Sequence, residues 1–178
     1  LLHTENSRCR TWIHRLFDER TFMETGAYVR RADTEGNSFE SVVTGHGAIA
    51  DRLVFALIQD SSRSKGVMSE VSAGKIETVI DQALKNGAPL IAVFDSVGAR
   101  ILEGASVLSG YGKIMRKLRE AAGEIPRIAI IDGLCAGASA VLAAQFDFVI
   151  GIKERGALYI TPSFMLPEQD VKPGSMEQ

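Results

Sequence analysis

Apolar and polar positions along the chain repeat one pattern three times: a short apolar run, a polar turn and a long segment with apolar residues at helical spacing. The three runs lie at 53–60, 89–95 and 126–132, and each ends in an aspartate. Runs of this length and composition, separated by helix-length segments, indicate buried parallel strands joined by helical crossovers. The pattern therefore predicts an α/β fold, in which ligands bind beyond the carboxyl ends of the strands.

The segments between the runs predict helices. Segments 68–85 and 105–122 carry apolar residues at intervals of three and four and end next to glycines. A shorter stripe at 10–17 predicts a helix that covers the sheet or a partner, and Val42 begins a strand that pairs with the first apolar run. We expect the 105–122 helix to bury Leu108, Tyr111, Met115, Leu118 and Ala122.

The third unit differs because the residues after Asp132 are small. Segment 133–144 consists almost wholly of Gly, Ala, Ser and Cys with few larger side chains, which predicts a closely packed helix that starts directly after Asp132. Short strands are expected at 147–151 and 157–161. A polar turn cluster is expected at 32–38, and residues 167–178 are expected to form a loose tail.

Composition narrows the possible functions. With 46% hydrophobic residues, 24% charged residues and a net charge of -2, residues 1–178 are predicted to form one globular domain without affinity for nucleic acid. No apolar run reaches the roughly 20 residues that span a bilayer, and the first residues lack signal-peptide features, so we expect a cytoplasmic protein away from membranes. Cys9 and Cys135 have no zinc-site spacing, and Cys135 is interpreted as a buried thiol.

The candidate chemistry lies in the small-residue turn from Cys135 to Ala138. At a helix start the first NH groups have no intrahelical acceptor and the helix dipole is positive, so an oxygen anion can be held there. Small residues also allow a helix to pack closely on a sheet, without any chemistry. The spacing alone leaves both interpretations open.

Longer motifs add a family resemblance. Segments 98–104 and 109–112 look like the GARIQEG and AGYG signature of the biotin-dependent carboxyltransferases that act on acyl-CoA, and segment 135–138 resembles the CAGG loop of that family. The resemblance covers about residues 8 to 160. It implies a crotonase-like fold, a spiral of ββα units in which the CoA thioester lies near the helix starts.

The resemblance also implies roles for individual residues. The NH groups of Gly137 and Ala138 would hold the thioester oxygen as an enolate, and Ala138 stands where the family usually has a second glycine. Arg63 and Lys65 would meet CoA phosphates, unless they are ordinary solvated cations, and Arg100 would serve the site or pair with Glu103 or Asp95. The expected substrate-binding residues are Arg63, Lys65, Gly66, Gly98, Ala99, Arg100, Cys135 and Ala136.

The resemblance implies partners as well. The chain lacks a biotin-acceptor segment, so biotin would arrive on a separate carrier chain or domain. The active site would lie at the junction with a second carboxyltransferase half, which predicts an oligomer and little or no activity for the chain alone. The other expected partner is a biotin carrier protein.

The residues also bear on several alternative functions and site types. Asp60, Asp95 and Asp132 suggest helix N-caps in preference to a metal site, so no metal is expected. Segment 133–146 has no carboxylate, which disfavours an enoyl-CoA hydratase, and Ser139 resembles a peptidase nucleophile but lacks a following histidine. Segment 70–76 resembles the β subunit of malonate decarboxylase nearly as well, and a non-catalytic structural subunit is the third alternative.

Overall fold

The computed structural model describes residues 7–29 and 40–161 of the 178. The predicted turn cluster at 32–38 and the predicted tail at 167–178 lie outside these ranges. In chain order the elements are α1 (Arg8–Leu16), β1 (Met23–Thr25), β2 (Val42–Ile49), β3 (Arg52–Gln59), α2 (Glu70–Asn86), β4 (Leu90–Ser96), α3 (Ala105–Ala121), β5 (Arg127–Ala136), α4 (Ala138–Ala143), β6 (Phe148–Gly151) and β7 (Ala157–Tyr159).

The strands form one sheet in the order β1-β2-β3-β4-β5-β6, and β7 pairs with the end of β5. Strands β1, β2 and β3 are antiparallel, whereas β3, β4, β5 and β6 are parallel. The parallel arrangement of the three apolar runs is thus confirmed. Strand β1 was not predicted, because three residues are too few to show a period.

Helices lie on both faces of the sheet. The helices α2, α3 and α4 bury a core against one face that includes Leu57, Ile76, Ile80, Leu90, Ile114 and Ile131. On the other face, Ile13 and Phe17 of the α1 region pack with Val43, Ile58 and Val93. The first helix therefore covers the sheet, which confirms one of its two predicted roles. Within the described ranges, no helix is both long and apolar enough to cross a bilayer.

The contact between α2 and α3 corrects the predicted buried stripe of α3. A Cβ placed on Gly110 would lie only 2.6 Å from the Cβ of Ala73, so the two helices approach closely where Gly110 has no side chain. This contact turns Tyr111 and Leu118 inward but leaves Leu108 63% exposed. The prediction that Leu108 and Ala122 are buried was wrong: helical spacing alone permits two adjacent stripes, and Ala122 is exposed because it lies just after the last residue of α3.

Strand β5 corrects the predicted start of the small-residue helix. The strand continues through Gly133 to Ala136, and α4 begins only at Ala138. Backbone pairing extends the strand: Cys135 pairs with Ser96 of β4, and Leu134 to Ala136 pair with β7. Gly133 fits inside the strand because it has no side chain: a Cβ at this position would overlap the carboxylate of Asp95.

Candidate active site

Three turns that follow β3, β4 and β5 meet at one edge of the sheet. The Met68 NH donates to the Gly98 carbonyl at 2.9 Å, and the Arg100 NH donates back to the Met68 carbonyl at 2.9 Å. A Cβ on Gly98 would lie 3.4 Å from the carbonyl oxygen of Ala136, so the second turn also touches the third. The structure thus brings together the predicted site segments near Gly66, Gly98 and Ala136.

Glycine is required at Gly66 by close approach and is favoured at Gly98 by a positive φ of 112°. A Cβ on Gly66 would overlap the carbonyl oxygen of Asp95, and Gly66 has a φ of +68°. The NH of Val97 donates to the Lys65 carbonyl at 3.2 Å, which joins the first turn to the second. Gly66 and Gly98 therefore shape the edge of the site through the backbone.

The turn from β5 into α4 has the geometry of a small anion site. Gly137 has φ 60° and ψ -130°, a conformation that side-chain-bearing residues avoid. Among residues 7–29 and 40–161, no atom would lie within 4 Å of a Cβ on Gly137, so these residues leave open space at this position. Ala138, which is half-buried, is the first residue of α4, and an NH at this position has no intrahelical acceptor. The turn can present this NH to an oxygen atom.

The NH of Gly137 has a partner within the protein. It donates to the carbonyl of Tyr159, at the end of β7, at 2.9 Å. Of the two predicted donors, the Ala138 NH is thus the one that the conformation leaves for a ligand. A role for the Gly137 NH would require that it share or release the Tyr159 carbonyl.

The thiol of Cys135 lies beneath the turn and is fully buried. Burial, and to a smaller extent the negative charge of Asp95, raise the pKa of Cys135 to about 12. The thiol is therefore protonated at neutral pH and has no nucleophilic role. Its contribution is to packing, since it belongs to the core cluster that also includes Ala140 and Leu142 of α4.

Ser139 is not exposed to a substrate. It is fully buried, and its hydroxyl lies 2.9 Å from the hydroxyl of Tyr111. Lys75, whose amine could replace a histidine as the base of a peptidase, donates its Nζ to the Val42 carbonyl at 2.7 Å and lines a separate cavity of about 290 Å³ with Thr25 and Thr44. A serine peptidase mechanism therefore has neither an accessible nucleophile nor a base beside it.

The predicted cations around the site differ in their partners. Arg63 lies 4.0 Å from the Asp60 carboxylate, and Arg100 lies 3.7 Å from Glu103, which was one of the two interpretations of Arg100. Lys65 is exposed and has the left-handed φ of 55°. Among these three side chains, Lys65 has the freest access to an anion in solution.

The aspartates at the strand ends are not helix N-caps, and that prediction was wrong: Asp60 accepts hydrogen bonds from the NH and the hydroxyl of Ser62 at 3.1 and 2.6 Å, and the N-cap of α2 is Ser69. Asp95 accepts hydrogen bonds from Arg8 at 2.7 Å and from Ser61 at 2.5 Å, and Asp132 accepts one from the indole NH of Trp12 at 2.7 Å. Asp95 and Asp132 face α1 because they lie inside β4 and β5, and the helices on the opposite face begin several residues later. No group of metal-binding side chains occurs in the part of the chain that the structure describes.

Two contributors to the site were missed. The carboxylate of Glu103 accepts a hydrogen bond from the Glu70 NH at 2.7 Å, which ties the turn before α3 to the start of α2. Tyr111 was assigned to packing alone, although a buried tyrosine hydroxyl nearly always has a hydrogen-bond partner. That rule, applied to Tyr111, would have directed attention to a nearby hydroxyl.

Comparison with known proteins gives a family match over most of the chain. The family model described as "Carboxyl transferase domain" matches residues 5–167. The methylmalonyl-CoA decarboxylase subunit alpha of Veillonella parvula is 38% identical over 158 residues, which cover 85% of this chain and 31% of that protein. The mitochondrial propionyl-CoA carboxylase beta chain of Rattus norvegicus is 41% identical over 165 residues, which cover 88% and 30%. The chain thus spans about a third of the length of these relatives.

Solved structures agree with the sequence matches. The structure of transcarboxylase 12S with methylmalonyl-coenzyme A and methylmalonic acid bound aligns with a TM-score of 0.82 and 36% identity, over 86% of this chain and 31% of that one. A Pseudomonas malonate decarboxylase hetero-tetramer aligns with a TM-score of 0.78 over 85% of this chain and 60% of that one. Its identity is 20%, so this second likeness concerns the fold alone.

Proposed function

Because the chain belongs to the carboxyl transferase domain family, we propose that it is the acyl-CoA-binding half of a biotin-dependent carboxyltransferase. The predicted crotonase-like fold agrees with the structural match to transcarboxylase 12S. The observation that carries the proposal is the β5–α4 turn, where open space above Gly137 meets the first NH of a helix at Ala138.

The proposed chemistry passes through an enolate. The α-carbon of the acyl group gains or loses a carboxyl group, and in between the negative charge rests on the thioester oxygen. The Ala138 NH donates to that oxygen, and a preorganised donor of this kind contributes roughly 3 to 4 kcal/mol in other oxyanion sites. Carboxybiotin, carried on another chain or domain, supplies the carboxyl group when transfer runs towards the acyl-CoA.

The direction of transfer is left open in the proposal. One relative is named a methylmalonyl-CoA decarboxylase subunit and another a propionyl-CoA carboxylase chain, and both names involve a carboxyl group on the α-carbon of a short acyl-CoA. The shared enolate explains how similar chains serve both directions. We therefore propose a short acyl-CoA as the substrate class.

The proposal includes partners. The chain covers about a third of the length of each of these relatives. A second carboxyltransferase half and a biotin carrier protein are therefore expected to complete the enzyme. Strand β6 supports an oligomer, since it lies at the edge of the sheet and exposes Phe148 (64%) and Ile150 (51%). We also propose a cytoplasmic location. Some relatives are mitochondrial, and cell fractionation distinguishes the two locations.

Calorimetry tests whether the acyl-CoA site lies on this chain. Acetyl-CoA, propionyl-CoA and malonyl-CoA are titrated into the purified chain, with free CoA as the control for contacts that do not involve the thioester. We expect micromolar binding of at least one thioester and weaker binding of free CoA. A folded chain that binds no thioester contradicts the placement of the site.

A pair of variants at Ala138 tests the donor itself. Ala138→Pro removes the NH at the first position of α4, where proline fits the helix, whereas Ala138→Gly keeps the NH and removes only the methyl. The readout is exchange of the α-protons of propionyl-CoA in D2O with added imidazole as the base, which removes the proton while the site holds the enolate, so that biotin is not needed. We expect the proline variant to slow exchange by about 100-fold or more and the glycine variant to retain it. Equal exchange in the proline variant and the wild type removes Ala138 from the mechanism.

A further inference from the structure

Two buried hydroxyl groups connect α3 to the start of α4. Tyr111 is 2% exposed and lies in the middle of α3, and Ser139, which is fully buried, is the second residue of α4. Their oxygen atoms lie 2.9 Å apart, although 28 positions separate the residues along the chain. Because neither oxygen can turn to solvent, loss of one hydroxyl leaves the other without a partner.

Helix α4 depends on its neighbours for its orientation. It has six residues, and isolated helices of this length are not stable in water. Its first turn is closed by the NH groups of Ala140 and Val141, which donate to the Gly137 carbonyl at 3.1 and 3.3 Å. Ser139 lies inside this turn, so a hydrogen bond to Ser139 also fixes the Gly137–Ala138 peptide.

The same peptide is held from its other side by the sheet. Cys135 pairs with Ser96 of β4 and with Leu158 of β7, which fixes the strand that enters the turn. Among the side-chain hydrogen bonds of residues 7–29 and 40–161, the Tyr111–Ser139 contact is the one that joins α3 to α4. Backbone pairing therefore fixes the strand, and this hydroxyl pair fixes the helix that follows.

We propose that Tyr111 is a positioning residue: its hydroxyl holds Ser139 and thereby directs the Ala138 NH into the site. The contact with a ligand is made by the Ala138 NH alone, and Tyr111 acts through the first turn of α4. The catalytic consequence of this inference rests on the proposed function, whereas its structural part does not. Ser139, which resembled a nucleophile in sequence, becomes the partner of the positioning residue.

Amide hydrogen exchange, measured by NMR on the purified chain, tests the structural part. The variants are Tyr111→Phe and Ser139→Ala, which each remove one oxygen, and Tyr28→Phe is the matched control because Tyr28 is 78% exposed. In the first two variants we expect the Ala140 and Val141 amides to exchange about tenfold faster than in the wild type, since the closed turn has lost its anchor. Amides in the middle of α2 are expected to change much less.

Two results would overturn the inference. Unchanged exchange at Ala140 and Val141 would show that the hydroxyl pair does not hold the turn. Acceleration by one common factor throughout α2, α3 and α4 would show that the pair contributes only to global stability. The double variant adds a check, because two residues that act through one contact produce together no more acceleration than either produces alone.

Exchange of the α-protons of propionyl-CoA tests the catalytic part. In Tyr111→Phe we expect a lower maximal rate with little change in the concentration of propionyl-CoA that gives half of that rate, because the Ala138 NH contributes most when the oxygen is charged. A rate equal to that of the wild type, in a variant with faster amide exchange, would overturn the catalytic role of the pair. If the wild type does not accelerate α-proton exchange over the buffer alone, the enolate step assigned to this chain in the proposed function fails, and the amide data still decide whether Tyr111 positions the turn.

Discussion

The close contact between α2 and α3 leads to a prediction about two glycines of one helix. Gly110 and Gly112 both lie inside α3. At either position, the higher helix propensity of alanine should stabilise the helix by about 0.8 to 1.0 kcal/mol. A Cβ on Gly112 meets no atom of the described residues within 4 Å, so Gly112→Ala should stabilise the protein by about 1 kcal/mol. It serves as the matched control.

The same substitution at Gly110 should have the opposite result. The new methyl would lie 2.6 Å from the Cβ of Ala73, whereas carbon atoms in contact are normally about 3.5 to 4.0 Å apart. The helices must separate by about 1 Å, and overpacking of this kind typically costs about 1 to 3 kcal/mol. Both substitutions gain the same helix propensity, so the difference between them is the cost of overpacking. The free energy of unfolding of Gly110→Ala should therefore be about 1 to 3 kcal/mol lower than that of Gly112→Ala.

Urea unfolding followed by circular dichroism measures this difference. A compensating variant, Ala73→Gly in the Gly110→Ala background, removes the methyl on the other side of the contact. It should recover stability relative to the sum of the two single changes, by about 1 kcal/mol or more. If Gly110→Ala proves as stable as Gly112→Ala, the close packing of α2 on α3 is refuted, and with it the reason that Tyr111 faces Ser139.

The remaining predictions concern a turn, an ion pair and the thiols. Ala50, in the turn between β2 and β3, has a positive φ of 50°, so Ala50→Asn, a residue suited to such turns, should raise the free energy of unfolding by about 0.5 to 1 kcal/mol in urea titrations. Hydrogen bonds from Arg127 hold the pKa of Asp147 below its ordinary value of 3.8, so the ion pair stabilises the fold above that pH. The advantage of the wild type over Asp147→Asn should therefore be constant from neutral pH to about pH 5 and disappear as the pH falls below 3.8; an advantage that persists in acid would contradict the assigned cause. Cys9 and Cys135 are fully buried and burial raises the pKa of both, so a thiol reagent at pH 8 should label neither in the native protein and both after denaturation.

The sequence permitted accurate prediction where local periodicity and burial agree. The strands at β3, β4 and β5 and the helices α2 and α3 were placed within a few residues, because each buries a long apolar run or stripe. The candidate turn at Cys135 to Ala138 was also found, since only a few segments of the chain combine small residues with a strand end.

Features that depend on neighbouring segments could not be predicted from local pattern. Small residues such as Gly133 fit a helix start or a strand equally well, and pairing with β4 and β7 decides for the strand. The roles of Asp95 and Asp132 depend on Arg8 and Trp12, which are remote in sequence. The occupation of the Gly137 NH likewise depends on a carbonyl that the chain supplies 22 positions later, at the end of β7.

The expected consequence of Ala138 changes once its backbone is known. An alanine in place of the usual glycine would be strained if the turn required a positive φ at that position, but the positive φ of the turn belongs to Gly137. Ala138 begins α4 with a helical backbone, which any residue can adopt. Its methyl therefore affects only the width of the site and does not alter the direction of its NH.

Two glycines with nearly the same conformation begin helices, yet only one of them suits a binding site. Gly104 precedes α3 with φ 56° and ψ -127°, and Gly137 precedes α4 with φ 60° and ψ -130°. Gly104 follows a turn that the Glu103 carboxylate ties to the NH of Glu70, whereas Gly137 follows a strand that is paired on both sides. Electrostatic stabilisation of a developing charge requires a donor that does not reorganise during the reaction. The turn at Gly137 meets this requirement because the sheet fixes its entry and the Tyr111–Ser139 contact fixes its exit.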